Sequence, residues 1–344
     1  MRVLITGGAG YVGSVLTETL LDQGHQVRIV DVGFFGLDHV DPRAELVVGS
    51  ILSFEADWLD GVEAVVHLAG LSNDPMAAFS PSLNYMLNAG GSAIVAQAAK
   101  EAGIRRFVFS STCSVYGMDE SGPLHEEHPV APRFPYAISK VMAERMLTCL
   151  ADDWFRPIML RKGTVVGWSP RMRYDLVTNS MVKSALTRNK IVIHNPNLWR
   201  PLIDVQDASE AYACALAAPM EVTGVFNISS RNFTLAELGV VVAESMSKFG
   251  VDPVIETEHR EDVRSYRVST EKASRVLKFH AKKSMSDTVS DVMTRVIDQP
   301  KEEFEHPRYH NIRQMELLMA DGRLHQNGHT MAPIKAQAEA AIPV

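Results

Sequence analysis

A doubly wound, mostly parallel α/β sheet with a smaller C-terminal lobe is the fold this sequence predicts. Three observations predict it. Short β-rich runs alternate with helical patterns through the first half, a glycine turn separates the first run from the first helix, and the pattern turns irregular after about Ser169. Strand–helix alternation implies right-handed crossovers, which cover a parallel sheet on both faces. The chain has 344 residues, and single cores stop growing near ~250–300 residues, so about two domains are expected.

The elements follow in order. Arg2–Thr6 is the first strand, and a helix runs from about Tyr11 to Gln23, where Gly24 is placed to stop it. Gln26–Asp31 is the next strand, and Glu63–Leu68 another, with Val65 and Val66 at its centre. Ser82–Ala102 reads as one long helix despite Gly90 and Gly91. Arg106–Ser111 is a strand and Pro135–Leu150 a second long helix. Beyond Ser169, prolines and asparagines punctuate shorter elements: a helix near Asp207–Ala217, a strand Gly224–Ile228, and a helix Thr234–Phe249. The last opens on Thr234-Leu235-Ala236-Glu237, a capping-box pattern. The expected division is a first domain over 1–168, a smaller lobe mainly over 169–300 with returns to the first core, and a C-terminal extension over 301–344, partly helical or disordered.

Composition narrows the function classes. A hydrophobic share of 46% with 22% charged residues is an ordinary globular balance and excludes a disordered chain. The net charge of −7 argues against nucleic acid or an anionic membrane as partner. An anionic ligand would need a local basic pocket. Cys113, Cys149 and Cys214 are too far apart for a short-spaced metal site and odd in number, which fits a reducing compartment. The N-terminus lacks a signal-peptide pattern, and no run reaches the ~18 apolar residues of a membrane span, so a soluble cytoplasmic protein is expected.

The segment Thr6-Gly7-Gly8-Ala9-Gly10-Tyr11-Val12-Gly13 fits Gly-x-Gly-x-x-Gly from Gly8 and Gly-x-x-Gly-x-x-Gly from Gly7. Glycines there let the backbone approach a pyrophosphate, and the helix N-terminus offers free N–H groups. Asp31 ends the second strand 21 residues after Gly10, the offset for a carboxylate that takes both adenosine ribose hydroxyls. It would repel a 2′-phosphate, so NAD is expected over NADP. A plain loop and a turn aspartate are the bland alternative, and the ordered strand, turn, helix, strand and acid weigh against it.

Tyr136-Ala137-Ile138-Ser139-Lys140 opens a predicted helix, with the tyrosine and lysine at i and i+4 on one face. An ammonium there is expected to lower the tyrosine pKa and fit it to move a proton. The strand ahead of it ends in Phe109-Ser110-Ser111-Thr112-Cys113-Ser114-Val115-Tyr116-Gly117. With Thr6–Gly13, Asp31, His67-Leu68-Ala69-Gly70, Asn88, Leu160-Arg161, Gly167 and Arg200-Pro201-Leu202-Ile203, these pieces resemble an extended short-chain dehydrogenase/reductase of the NAD-dependent nucleotide-sugar epimerase/dehydratase family. The resemblance covers roughly residues 1–300.

What the resemblance implies is specific. It implies a Rossmann-type domain holding NAD and a lobe holding a nucleotide sugar. Tyr136 is the implied base, Lys140 the ribose ligand, and Thr112 the partner of the reacting oxygen. Gly7, Gly10, Tyr11, Val12, Gly13, Asp31, Ser50, Ile51, Leu68, Ala69, Gly70, Asn88, Ser110, Lys162 and Gly163 are the further implied cofactor contacts. Substrate contacts are expected from Ser72, Asn73, Thr112, Thr164, Arg171, Arg173, Asn179, Arg200 and Arg264. Arg171 and Arg173 read equally well as a solvated basic loop. His67 reads as a packed core histidine, and no metal is expected.

Departures from the family pattern sharpen the expectation. Cys113 and Ser114 stand where the 4,6-dehydratase branch carries Asp-Glu, so dehydration lacks its usual acid/base pair. Ser50 stands in place of an aspartate that meets adenine. A 4-epimerase acting by transient oxidation is the leading reading. A net 4-dehydrogenase or ketoreductase uses the same residues, and a silent NAD-binding scaffold is the non-enzyme alternative. The resemblance also implies a homodimer through the helices near Ser82–Ala102 and Pro135–Leu150.

Overall fold

A computed structural model describes residues 1–259 and 265–324 of the protein. In the first half, β1 (Arg2–Thr6), α1 (Tyr11–Asp22), β2 (Gln26–Asp31), β3 (Glu45–Val48) and β4 (Ala64–His67) lead to α2 (Asp74–Phe79), α3 (Pro81–Tyr85) and α4 (Ser92–Glu101). β5 (Arg106–Thr112), β6 (Met118–Leu124), α5 (Pro135–Leu150) and β7 (Arg156–Lys162) follow. The second half contains β8 (Thr164–Val166), α6 (Val177–Arg188), β9 (Lys190–His194), β10 (Trp199–Asp204), α7 (Val205–Ala217), β11 (Gly224–Ile228) and β12 (Arg231–Thr234). It ends with α8 (Leu235–Ser247), β13 (Val254–Glu258), β14 (Ser265–Val268), α9 (Met285–Val296) and α10 (Asn311–Ala320).

Seven strands form one parallel sheet in the order β11-β7-β5-β4-β1-β2-β3. Period-two alternation divides its side chains between two cores. Leu4, Val65, Phe107 and Phe109 face one, while Val3, Ile5, Ala64, Val66 and Val108 face the other. The strand order reverses between β1 and β4. At such a switch point the crossovers leave to opposite faces and open a crevice at the carboxyl ends of the strands. The doubly wound parallel fold expected from the sequence is borne out.

The helix expected over Ser82–Ala102 is interrupted by a π-helical turn, Met86–Gly91, between α3 and α4. A Cβ on Gly91 would sit 2.5 Å from Ile51 Cδ1. The glycine is there for close approach to the loop after β3. The strands β7, β8, β10 and β12 carry no predicted element in the sequence, and neither do the short pairings of β13 with β9, β14 with β6, and β3 with β2. The strands of these short pairings have 4 to 7 residues, and the first two pairings join segments remote in sequence.

A third core buries Val182, Ile191, Leu202, Leu238 and Val292 together, and Tyr11 and Val15 of α1 join it. α8 starts on the full capping box of Thr234 and Glu237. The segment 205–228 leaves this core. α7 buries Ala208, Ala211, Tyr212 and Ala215 in the first domain's core, and β11 extends the main sheet. The C-terminal segment up to 324 is not an appendage. Met315, Leu318 and Leu324 lie buried in the same core as Val30, Leu71 and Phe109. Residues 325–344, with His325 and His329, lie outside the described residues. Among the described residues no helix is long and apolar enough to cross a membrane.

Because α10 completes the first core, Met315→Ala should lower unfolding stability by about 2–5 kcal/mol, the range for truncating a buried Met. Urea denaturation checks this, and a loss below about 1 kcal/mol would mean that α10 only rests on the surface.

Candidate active site

One cavity of about 590 Å³ opens at the carboxyl ends of β1, β2, β4 and β5 and continues between the two lobes. Its floor is the glycine turn. Gly7 has φ +73°, and a Cβ on it would lie 2.7 Å from Ala69 N. A Cβ on Gly13 would lie 2.3 Å from Gly7 O, so α1 can start this close to the turn only with glycine there. Asp31 closes one end. Its carboxylate accepts from Ala9 N at 3.1 Å and Gly33 N at 2.9 Å. Burial pushes its pKa up, while those two N–H groups, His39 and Arg171 pull the other way.

These residues fit a dinucleotide. The turn carries no side chain to fill the cradle, the helix N-terminus faces it, and Asp31 stands at strand end with lone pairs to spare. Ser50, Ile51, Leu68, Ala69, Gly70, Ser110, Lys162 and Gly163 line the same cavity, as do Gly10, Tyr11 and Val12. Ser50 accepts from Leu52 N and so caps the short turn after β3, a role its hydroxyl fills in place of an aspartate.

Asn88 is a correction. It does not line the cavity. It is fully buried behind it and donates to Leu71 O, Asn84 Oδ1 and Ser139 Oγ. Asn179 is a second. Its side chain accepts from Gly167 N and donates to Tyr11 OH, Gly167 O and Arg173 O, and it too lies outside the cavity wall. All its polar atoms are occupied in tying α6 to the start of α1, so it is a latch between lobes and has nothing left for a diphosphate.

Thr112, Tyr136 and Lys140 converge in the cavity, Thr112 from the end of β5 and the other two from the first turns of α5. The expected depression of the tyrosine pKa is absent. Burial pushes Tyr136 up and the nearby Asp74 adds to this, while a hydrogen bond from Thr112 and the charge of Arg173 oppose it. Lys140 does not supply the difference. Its Nζ lies 6.0 Å from the Tyr136 ring centroid, and burial beside Lys162 lowers its pKa to about 7. Burial thus favours the neutral phenol over the phenolate.

Below the pair, Glu144 continues the same face of α5. It forms a buried ion pair with Arg161 of β7 at 2.7 Å and also accepts from Ser111. Its i+4 spacing from Lys140 was the available signal. Asp74 and Tyr266 also line the cavity, and Tyr266 OH lies 3.2 Å from Ser114 Oγ. No local motif marked these two, because β14 reaches the site only through its pairing with β6. Cys113 is fully buried, its thiol held protonated by burial.

The substrate-side residues separate. Thr164, Asn73 and Arg200 line the cavity, and Arg200 is nearly buried on β10. Ser72 Oγ accepts from both Arg173 and Asn311. Arg173 forms a forked pair with Asp175. Arg171 lies against Phe35, four residues beyond Asp31 in the chain, and donates to Asn311. Arg264 lies outside the described residues. His67 is buried in the core as expected, bonded to Thr6 and Ser92, and burial lowers its pKa to about 3.

A Rossmann-type sheet whose switch point carries a glycine cradle, a ribose acid and a Tyr/Lys helix defines an NAD-dependent short-chain enzyme. Residues 3–229 match the model of the NAD dependent epimerase/dehydratase family, and the chain belongs to that family. The UDP-glucose 4-epimerase of Bacillus subtilis (strain 168) is 27% identical over 324 residues, covering 85% of this chain and 95% of its own. The solved UDP-glucose 4-epimerase of Thermotoga maritima, crystallised with UDP-glucose, is similar at 25% identity and TM-score 0.77 over 86% of this chain and 98% of its own. An NAD dependent NDP-hexosamine 5,6-dehydratase of tunicamycin biosynthesis shares the fold, with TM-score 0.78 at 21% identity over 88% of this chain and all of its own.

The carboxylate of Asp31 sets the cofactor preference. Wild-type protein should bind NAD at least about tenfold more tightly than NADP, and Asp31→Asn should remove most of that difference by deleting the like charge. Parallel titrations with both dinucleotides check it, and wild-type protein that takes NADP as tightly as NAD contradicts it.

Proposed function

We propose that the protein interconverts nucleotide sugars epimeric at carbon 4, by oxidising that carbon and reducing it again from the opposite face. The observation that carries this is the convergence of Thr112, Tyr136 and Lys140 on one cavity that also contains the glycine cradle and Asp31. Bound NAD supplies a hydride acceptor and then a hydride donor. The chain's own residues handle protons and position. Tyr136, acting as the phenolate against the bias of its burial, takes the proton of the 4-hydroxyl as carbon 4 loses hydride, and gives it back to the oxygen as the carbon regains hydride. Thr112 holds that oxygen. Lys140, poised near neutrality, supplies positive charge beside the phenolate when protonated.

A nucleoside diphosphate is the group that the second lobe's side suits. Arg200 brings a guanidinium to this side of the cavity, with Nη1 donating to Trp199 O, and guanidinium donors match phosphate oxygens. His194 and Leu235 line the far end of the same cavity. Loss of water is disfavoured here, because the two positions after Thr112 are a buried thiol and a serine hydroxyl, with no carboxylate at either. Ile94 and Met142 are exposed apolar side chains on α4 and α5, in keeping with a two-fold pairing of these helices.

Tyr136→Phe keeps the ring and removes the proton-transfer group. Turnover on a panel of UDP-, GDP-, dTDP- and CDP-sugars should fall by about 10²–10⁴-fold, with dinucleotide affinity unchanged. Near-wild-type turnover in this variant would put the base elsewhere. No turnover of any 4-epimerisable nucleotide sugar by wild-type protein loaded with NAD would overturn the proposal.

A further inference from the structure

Arg171 is a buried cation, 3% exposed, with no carboxylate in direct contact among the described residues, though Asp175 and Asp31 act on it from farther off. Its Nη2 donates to Asn311 Oδ1 at 2.6 Å, its guanidinium lies 3.9 Å from the Phe35 ring centre, and its Nε is buried with no hydrogen-bond partner. Leaving a charge desolvated and unpaired is costly, so such a site is built for an anion that arrives from outside. The cavity takes two ligands with a diphosphate each, and the surroundings of Arg171 decide between them. Phe35 belongs to the loop after Asp31. Arg171 is opposed by the charge of Arg173 and favoured by the carboxylates of Asp175 and Asp31, the latter at the cradle.

The partner that positions Arg171 comes from the C-terminus. Around Asn311 the same segment makes further ties to the dinucleotide side. Arg308 pairs with Asp38 at 3.1 Å, Gln314 donates to Phe34 O at 3.0 Å, and Asn311 donates to Ser72 at 3.2 Å. Met315 and Leu318 anchor the helix in the core below. The segment thus spans the loop after β2 and the loop after β4, the two loops that flank the cradle.

We propose that residues 308–318 form a strap that retains the dinucleotide, by fixing Arg171 against its pyrophosphate and pinning the loop that follows Asp31. This rests on the function proposed above and adds what that function needs. An epimerase must keep the reduced dinucleotide between the two hydride transfers, whereas a net dehydrogenase must release it. The strap assigns Arg171 to the cofactor and leaves Arg200 to the sugar nucleotide.

The test measures release, not turnover. Full-length protein is loaded with NADH, freed of excess, and diluted into lactate dehydrogenase and pyruvate, which consume whatever NADH escapes. Arg171→Ala and Asn311→Ala should each speed release by about 10- to 100-fold, the worth of a charge-assisted hydrogen bond. Arg308→Ala combined with Gln314→Ala, both at the surface, should speed it by a few fold. Asn311→Asp, which gives Arg171 a carboxylate of its own to pair with, should also speed release. Titration with UDP should give the same affinity in Arg171→Ala as in wild type. Wild-type release rates in every variant would overturn the strap while leaving the epimerase reading intact. Weakened UDP binding with unchanged NADH release would also overturn it, by moving Arg171 to the substrate. Wild-type protein that takes up no NADH would overturn both.

Discussion

The buried pair of Glu144 and Arg161 is the contact on which the active site depends. Tyr136, Lys140 and Glu144 follow one another at i, i+4 and i+8 on a single face of α5, so fixing the last fixes the first two in rotation about the helix axis. Arg161 holds Glu144 with two nitrogens and also donates to Tyr116 OH, which in turn donates to Asn227 of β11. Ser111, beside Thr112 on β5, donates to the same carboxylate. One network therefore sets the catalytic helix against three strands of the sheet, directly beneath the reacting groups. Such a pair adds little net stability over an apolar core, but removing one partner strands the other and costs about 3–5 kcal/mol. Its use here is geometric.

Chemistry at the strand ends divides into two problems, and separate parts of the chain address them. Proton movement belongs to the first domain, where Thr112, Tyr136 and Lys140 sit on rigid elements. Keeping two anionic ligands in an acidic protein belongs to the loop after β8 and to β10, where Arg171, Arg173 and Arg200 line the cavity. An epimerase, a dehydrogenase and a reductase can share the first arrangement without change. What distinguishes them is how long the dinucleotide stays, and that is decided by the cover of the cradle.

Most of the first domain was legible in the sequence because its signals are local. The glycine spacing, Asp31 at strand end and the Tyr/Lys spacing each lie within one element, and α5 begins and ends where its prolines and apolar pattern indicate. Residues whose roles depend on distant contacts were not legible. Asn179 matches a polar contact position in sequence, yet spends its amide on backbone and side chains behind the cavity wall; Asn88 donates there too, but its Oδ1 stays unpartnered against Gly70. Arg171 stands in the sugar-nucleotide loop, but Phe35 and Asn311, separated from it by more than a hundred residues on either side, draw it toward the cradle. Tyr266 reaches the site through a strand pairing that no periodicity reveals. The tyrosine pKa was misjudged for a related reason: spacing showed a lysine nearby but not that burial leaves both groups short of charge.

The central claim is that carbon 4 loses hydride and recovers the same hydride inside one closed cleft. The direct measurement uses the nucleotide sugar that turns over, deuterated at carbon 4, with unlabelled NAD added in excess to the solution. The account predicts that the 4-epimer retains its deuterium at carbon 4, with no label in free dinucleotide and no accumulation of NADH. Deuterium appearing in the dissolved dinucleotide, or one NADH formed per sugar consumed, would contradict it and identify a net dehydrogenase.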